Sequence, residues 1–147
     1  MTTERAVLVL AEFDDVHNAS AAHRVRALER LGMRTRAFDL GARPGLFSRL
    51  RGGDLTKRLE RAIDEHEPDL VLVLGGSALD EELVDRLRGR TRARWITWLP
   101  DDLRTVSPAA SLARPYDTIY AIGTDVSAEL AERLGRTVDV LSLAADP

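Results

Sequence analysis

The run Asp69-Leu70-Val71-Leu72-Val73-Leu74-Gly75-Gly76-Ser77 settles the architecture of this chain. Leu70 to Leu74 is continuously apolar, preceded by Pro68 and followed by a glycine pair, the pattern of a strand buried on both faces. A strand with no polar side needs cover above and below, and its neighbours in sequence supply helices. Upstream, Leu55, Leu59, Ala62 and Ile63 recur at helical spacing behind Asp54, which can cap that helix. Downstream, Leu79, Leu83, Val84 and Leu87 form a second apolar stripe over 79–87.

The alternation extends in both directions. Ala6-Val7-Leu8-Val9-Leu10 is another continuous apolar run. Over 19–31 the spacing turns helical, with Ala22, Val25, Leu28 and Leu31 inward, Arg24, Arg26, Glu29 and Arg30 outward, and Gly32 as the stop. Weak alternation over 34–40 predicts a second strand, and a Gly- and Arg-rich loop fills 41–53. Further strands are expected at 93–99, 117–122 and 138–143, with a short helix at 108–114 and a longer one at 125–134 capped by Thr124 or Asp125. Strand, helix, strand repeated to the end predicts α/β architecture. The expectation is a single Rossmann-like domain over 1–147, with about six mostly parallel strands and helices on both faces.

Composition narrows the function classes. A chain of 147 residues fits one domain, and 44% hydrophobic residues argue against intrinsic disorder. No apolar run approaches the ~18–20 residues of a membrane span. The absence of cysteine excludes disulfides, thiolate metal sites and cysteine nucleophiles. Met1-Thr2-Thr3-Glu4-Arg5 carries no signal-peptide pattern, so a cytoplasmic location is expected. With 21 basic against 24 acidic residues the net charge is −3, which does not favour a nucleic-acid partner. Every basic residue except Lys57 is arginine, a bias spread along the whole chain as a genomic preference would spread it.

In a parallel α/β sheet, ligands bind beyond the carboxyl ends of the strands, near the point where strand order reverses. That rule selects 13–20, 75–77, 100–104 and 123–125. In the first segment, Asp14, Asp15, His17 and Asn18 precede a helix whose free N–H groups can hold an anion. His17 could serve as a general base; equally, Asn18 or Ser20 caps the helix and His17 is a solvated loop residue. Gly75, Gly76 and Ser77 either let backbone approach a ligand or make a tight turn with Ser77 as helix cap. No G-x-G-x-x-G follows the first strand and no G-x-x-x-x-G-K-[ST] occurs, which disfavours nicotinamide cofactors and P-loop chemistry. Thr124 stands in the last segment.

Trp95 and Trp98 lie three apart on the fourth strand and therefore point to opposite faces, and Asp101 and Asp102 follow it. Adjacent carboxylates there could hold sugar hydroxyls, bind a cation or act as a base; they also start turns. His23 and His66 fall within helical stretches and read as surface residues, and no metal site is assigned. Arg86, Arg88, Arg90, Arg92 and Arg94 suit a helix end and read as a solvated face.

Taken in order, Asp69 to Gly76, Trp98-Leu99-Pro100-Asp101-Asp102, Tyr116-Asp117-Thr118-Ile119-Tyr120 and Leu141-Ser142-Leu143-Ala144-Ala145-Asp146-Pro147 resemble the N-terminal half of spore-maturation-type glycosyltransferases of the two-domain GT-B group. The resemblance covers roughly 5–147. It implies a Rossmann-like half that binds the sugar acceptor, while a second half binds the nucleotide-sugar donor. That donor-binding half is not among these residues, so the domain itself is expected to hold no cofactor and to be inactive without a donor-binding domain or subunit. The resemblance maps Asp101 and Asp102 to the acceptor-side cleft as candidate bases beside His17. In that mapping Gly75 and Gly76 line the cleft; the strand-end rule adds Asp14, Asp15, Asn18, Ser77 and Thr124 as acceptor-binding candidates, the first segment departing from the family's commoner glycine-rich turn. A domain exposing the surface that faces an absent half has reason to self-associate.

Rival readings use the same architecture. Asp15-Val16-His17-Asn18-Ala19-Ser20 and Ser77-Ala78-Leu79 partly match a cobalamin-binding domain with His17 as ligand, although Ser20 replaces the expected glycine. A phosphoacceptor receiver domain would use Asp14 and Asp15 but needs an aspartate where Gly75 stands. A non-enzymatic interaction module is the third.

Overall fold

The computed structural model describes residues 5–13, 19–41, 54–75, 79–99 and 113–142. The apolar runs are strands: β1 (Ala6–Ala11), β2 (Arg34–Asp39), β3 (Leu70–Leu74), β4 (Arg94–Leu99), β5 (Thr118–Ala121) and β6 (Asp139–Val140). The periodic segments are helices α1 (Ala19–Arg30), α2 (Leu55–His66), α3 (Glu81–Arg88) and α4 (Thr124–Leu134). One six-stranded sheet runs β2-β1-β3-β4-β5-β6, and every neighbouring pair is parallel. The α/β, Rossmann-like architecture expected from sequence is therefore present.

The two sheet faces differ, and strand register shows how. Leu8, Val71 and Trp95 stand side by side, as do Leu10, Val73, Thr97 and Ile119, and all are buried. All but Thr97 join Leu59, Ala62 and Ile63 of α2, Val84 and Leu87 of α3, and Val126 and Leu130 of α4 in one hydrophobic core. On the reverse face, Val7 and Val9 are buried, whereas Leu70, Leu72, Leu74, Ile96, Trp98 and Tyr120 are half-buried. Crossover handedness explains the asymmetry. The step from β1 to β2 runs one way along the sheet and every later step runs the other way. Right-handed connections then put α1 on one face and the remaining helices on the opposite one. Trp95 and Trp98 fall on opposite faces, as their spacing requires.

Several local expectations need correction. Leu31 is 73% exposed, and Arg24 lies over the Trp98 ring rather than in solvent. A three-residue repeat slips about 60° per step around an α-helix, so Leu31 has rotated to the side opposite Ala22. The inward stripe runs through Ala21, Val25 and Leu28, with Arg24 beside it. Gly32 ends the helix with φ +76°, and the Met33 N–H reaches the Leu28 carbonyl at 3.1 Å.

The cap of α3 is Asp80, whose side chain accepts from the Leu83 N–H at 2.8 Å, not Ser77. Leu79 precedes that cap and shares the core with Val84, the arrangement of a hydrophobic staple. Gly123 occupies the cap position of α4, so Thr124 and Asp125 are its first helical residues rather than its caps. Asp54 holds the cap position of α2 without a side-chain bond. The sixth strand is confined to Asp139–Val140, and most of the expected 108–114 helix lies outside the described residues.

His66 is buried, not a surface residue. Its Nε2 lies 3.0 Å from the Val7 carbonyl and 3.2 Å from the Arg34 carbonyl, both acceptors, so Nε2 carries the hydrogen. Nδ1 then accepts from the Arg34 guanidinium at 3.5 Å. Burial is the main reason that the His66 pKa falls below its ordinary value, with Arg34 and Arg36 adding to the effect.

Candidate functional site

Because β1, β3, β4 and β5 are parallel neighbours, the segments that leave their carboxyl ends emerge on one rim. The reversal of strand order falls between β1 and β3. From β1 the chain moves outward to β2; from β3 it moves the other way to β4. Local bonds shape this rim. Asp39, at the end of β2, accepts through Oδ1 from the Phe13 N–H at 3.2 Å and the Gly41 N–H at 2.9 Å. One carboxylate oxygen thereby fixes the start of the loop after β1 and the turn after β2. The Leu40 N–H closes the same corner on the Ala11 carbonyl at 2.8 Å.

At the end of β3, Gly75 has φ +81°, a left-handed conformation that side-chain-bearing residues rarely adopt. Its N–H reaches the Trp98 carbonyl at 3.2 Å and joins the exits of β3 and β4. A Cβ there would have no neighbour within 4 Å, so backbone conformation rather than crowding calls for glycine. Trp98 stands at the end of β4 with Arg24 over its ring, 3.9 Å from the centroid. Thr124 is exposed at the start of α4, beyond the end of β5.

Of the residues singled out from sequence, Gly75 and Thr124 thus share this rim, separated by the exit of β4. Asp14, Asp15, His17, Asn18, Gly76, Ser77, Asp101 and Asp102 lie outside the described residues. Among the described residues no group of three or more His, Cys, Asp or Glu could hold a metal ion. No helix among them is long and apolar enough to cross a membrane.

Sequence reading missed two features of the rim. Asp39 carried a usable signal, since an aspartate two residues before a glycine commonly folds back on its own backbone. The Arg24–Trp98 contact carried none, because it joins residues from α1 and β4 across the intervening β3.

The opposite end of the sheet is structural. Asp69 Oδ2 accepts from the Ala6 N–H at 2.8 Å, and Asp117 Oδ2 accepts from the Trp95 N–H at 2.7 Å. Each carboxylate satisfies a backbone donor at the start of a neighbouring strand. The arginines read as a solvated helix end are largely paired: Arg86 with Glu60 at 3.1 Å, Arg88 with Asp117 at 2.6 Å and Arg90 with Asp64 at 2.7 Å. A shallow concavity between Arg88, Arg92, Arg94 and Asp117 lies at this amino end, away from the rim.

No protein-family model and no curated protein matches the chain. Among solved structures, it is similar to a 2-hydroxyisobutyryl-CoA ligase in an open conformation, at 14% identity and a TM-score of 0.36. That likeness covers 94% of this chain and 25% of the ligase, so the chain spans about a quarter of that protein's length. The likeness carries no functional argument.

Proposed function

We propose that this chain is the acceptor-binding, Rossmann-like half of a glycosyltransferase whose nucleotide-sugar donor is held by a second half. The observation that carries the reading is the convergence of four strand exits on one rim at the reversal of strand order. The strands that carry three of the motif stretches resembling GT-B proteins have their carboxyl ends on it: β3 at Leu74 before Gly75, β4 at Leu99 and β5 at Ala121.

In this reading the acceptor hydroxyl attacks the anomeric carbon of the donor. The new carbon–oxygen bond forms as the bond to the nucleotide phosphate breaks. Asp101, Asp102 or His17 takes the hydroxyl proton as general base. The donor-binding half or subunit is the partner this mechanism requires.

The test is a protein-observed NMR titration of the chain with a panel of simple glycosides. Saturable amide shifts gathered at Gly75, Trp98 and Thr124 are expected. Shifts gathered around Asp69 and Asp117, or none with any glycoside, would overturn the reading. Hydroxocobalamin added to the same sample should leave its absorbance spectrum unchanged. A change lost on His17→Ala would replace sugar binding with cobalamin binding.

A further inference from the structure

Most of the described arginines end on an acceptor. Arg36 meets Glu65 at 3.0 Å, Arg88 meets Asp117 at 2.6 Å, and Arg136 donates to the carbonyls of Tyr116 at 2.7 Å and Asp117 at 2.8 Å. Arg24 differs. Its guanidinium lies over the Trp98 ring, 3.9 Å from the centroid, and among the described residues no carboxylate or carbonyl accepts from it. A guanidinium at that height can stack flat on the ring and offer its face to the π-cloud. In that stacked geometry the N–H donors in its plane point sideways and stay available to a ligand. Burial lowers its pKa from the ordinary arginine value.

Trp98 adds an independent sign. Among the described residues its indole N–H is withdrawn from solvent without an acceptor, as is that of Trp95 on the other face, but at Trp98 a cation shares the ring. Guanidinium and indole nitrogens can only donate, so both groups lack the same thing. Both lie beside the junction where the Gly75 N–H meets the Trp98 carbonyl, on the rim where ligands of such sheets bind.

We propose that Arg24 and Trp98 form an oxyanion-binding site on this rim that takes the carboxylate or phosphate group of a small ligand. The Arg24 fork grips two oxygens, and the indole holds the fork in plane. The ligand chemistry is a compact negative charge with at least two acceptor oxygens. The site stands on the stacked pair alone and does not depend on the sugar-acceptor reading.

The test is a titration of the ¹⁵N-labelled chain with inorganic phosphate, and separately with acetate, against chloride at matched ionic strength. The Trp98 indole N–H signal, assigned with Trp98→Phe, should move saturably with at least one oxyanion and not with chloride, while the Trp95 signal stays in place. Saturation with phosphate alone assigns a phosphate ligand, with acetate alone a carboxylate, and with both a general oxyanion site. Arg24→Gln should weaken binding roughly tenfold or more, as expected when a charge-assisted hydrogen-bond pair is lost. Arg24→Lys keeps the charge without the fork and should fall between. Far-UV circular dichroism checks that each variant folds, and Arg24→Lys serves if Arg24→Gln does not.

No oxyanion-specific movement, or saturation equal in wild type and the folded Arg24 variant, would overturn the proposal. Oxyanion binding without any glycoside effect would keep this site and dismiss the sugar-acceptor function. Glycoside shifts without oxyanion binding would do the reverse.

Discussion

Asp117 belongs to a stretch that resembles a glycosyltransferase motif, yet its geometry gives it a folding role that can be measured. Its Oδ2 accepts from the Trp95 N–H at 2.7 Å, and its Oδ1 meets Arg88 at 2.6 Å. Trp95 is 0% exposed, so water cannot replace the lost acceptor without rearrangement. In Asp117→Ala, the stranded N–H should cost about 1–3 kcal/mol. The ion pair is partly exposed and adds only about 0.2–1 kcal/mol. The sum is a loss of roughly 1–4 kcal/mol. Asp117→Asn keeps an acceptor oxygen and gives up the charge, so it should lose about 1 kcal/mol or less. Arg88→Ala isolates the same small ionic part.

Urea unfolding followed by tryptophan fluorescence and by far-UV circular dichroism would give these differences, with coincident transitions as the two-state check. If Asp117→Ala lies within about 0.5 kcal/mol of wild type, the stranded-donor argument fails. If Asp117→Asn is as damaging as Asp117→Ala, charge rather than hydrogen bonding is what the fold uses.

Other outcomes follow from the same geometry. Because burial lowers the folded-state pKa of His66 below its ordinary 6.5, the unfolded chain binds the extra proton first as pH falls. Its contribution should be fully present above about pH 6.5 and be lost as pH drops from there through the folded pKa; urea unfolding at a series of pH values should show a slope that His66→Gln flattens. Leu31→Ser should change stability by no more than about 0.5 kcal/mol, since that side chain is 73% exposed, whereas a core leucine at the same site would have cost about 2–5 kcal/mol on truncation. Gly75→Ala should lose about 1–2 kcal/mol purely from its φ of +81°, measured by thermal or urea unfolding; a neutral result would mean that the backbone there relaxes freely.

The sheet itself was legible in the residues. Runs such as Leu70 to Leu74 are too apolar for any place except a strand covered on both sides, and the helical stripes between them leave a parallel α/β domain as the consistent arrangement. The rule for ligand position followed from that topology, so the segments of the candidate rim could be chosen before any coordinates. Gly32 and Gly135, with positive φ at helix ends, were local signals of the same kind.

Tertiary structure decided whatever depends on residues far apart in the chain. His66 looks like any polar residue at a helix end until β1 and β2 bring the Val7 and Arg34 carbonyls to its ring. Arg24 looks solvated until α1 lies on the sheet and carries it over β3 to Trp98. Asp69 and Asp117 read as motif letters until neighbouring strands present N–H groups to them. Hydrophobic periodicity is local and averages over many side chains, so a sequence displays it openly. The partner of a single polar group is set by strand order, register and crossover handedness, and those exist only once the chain has packed.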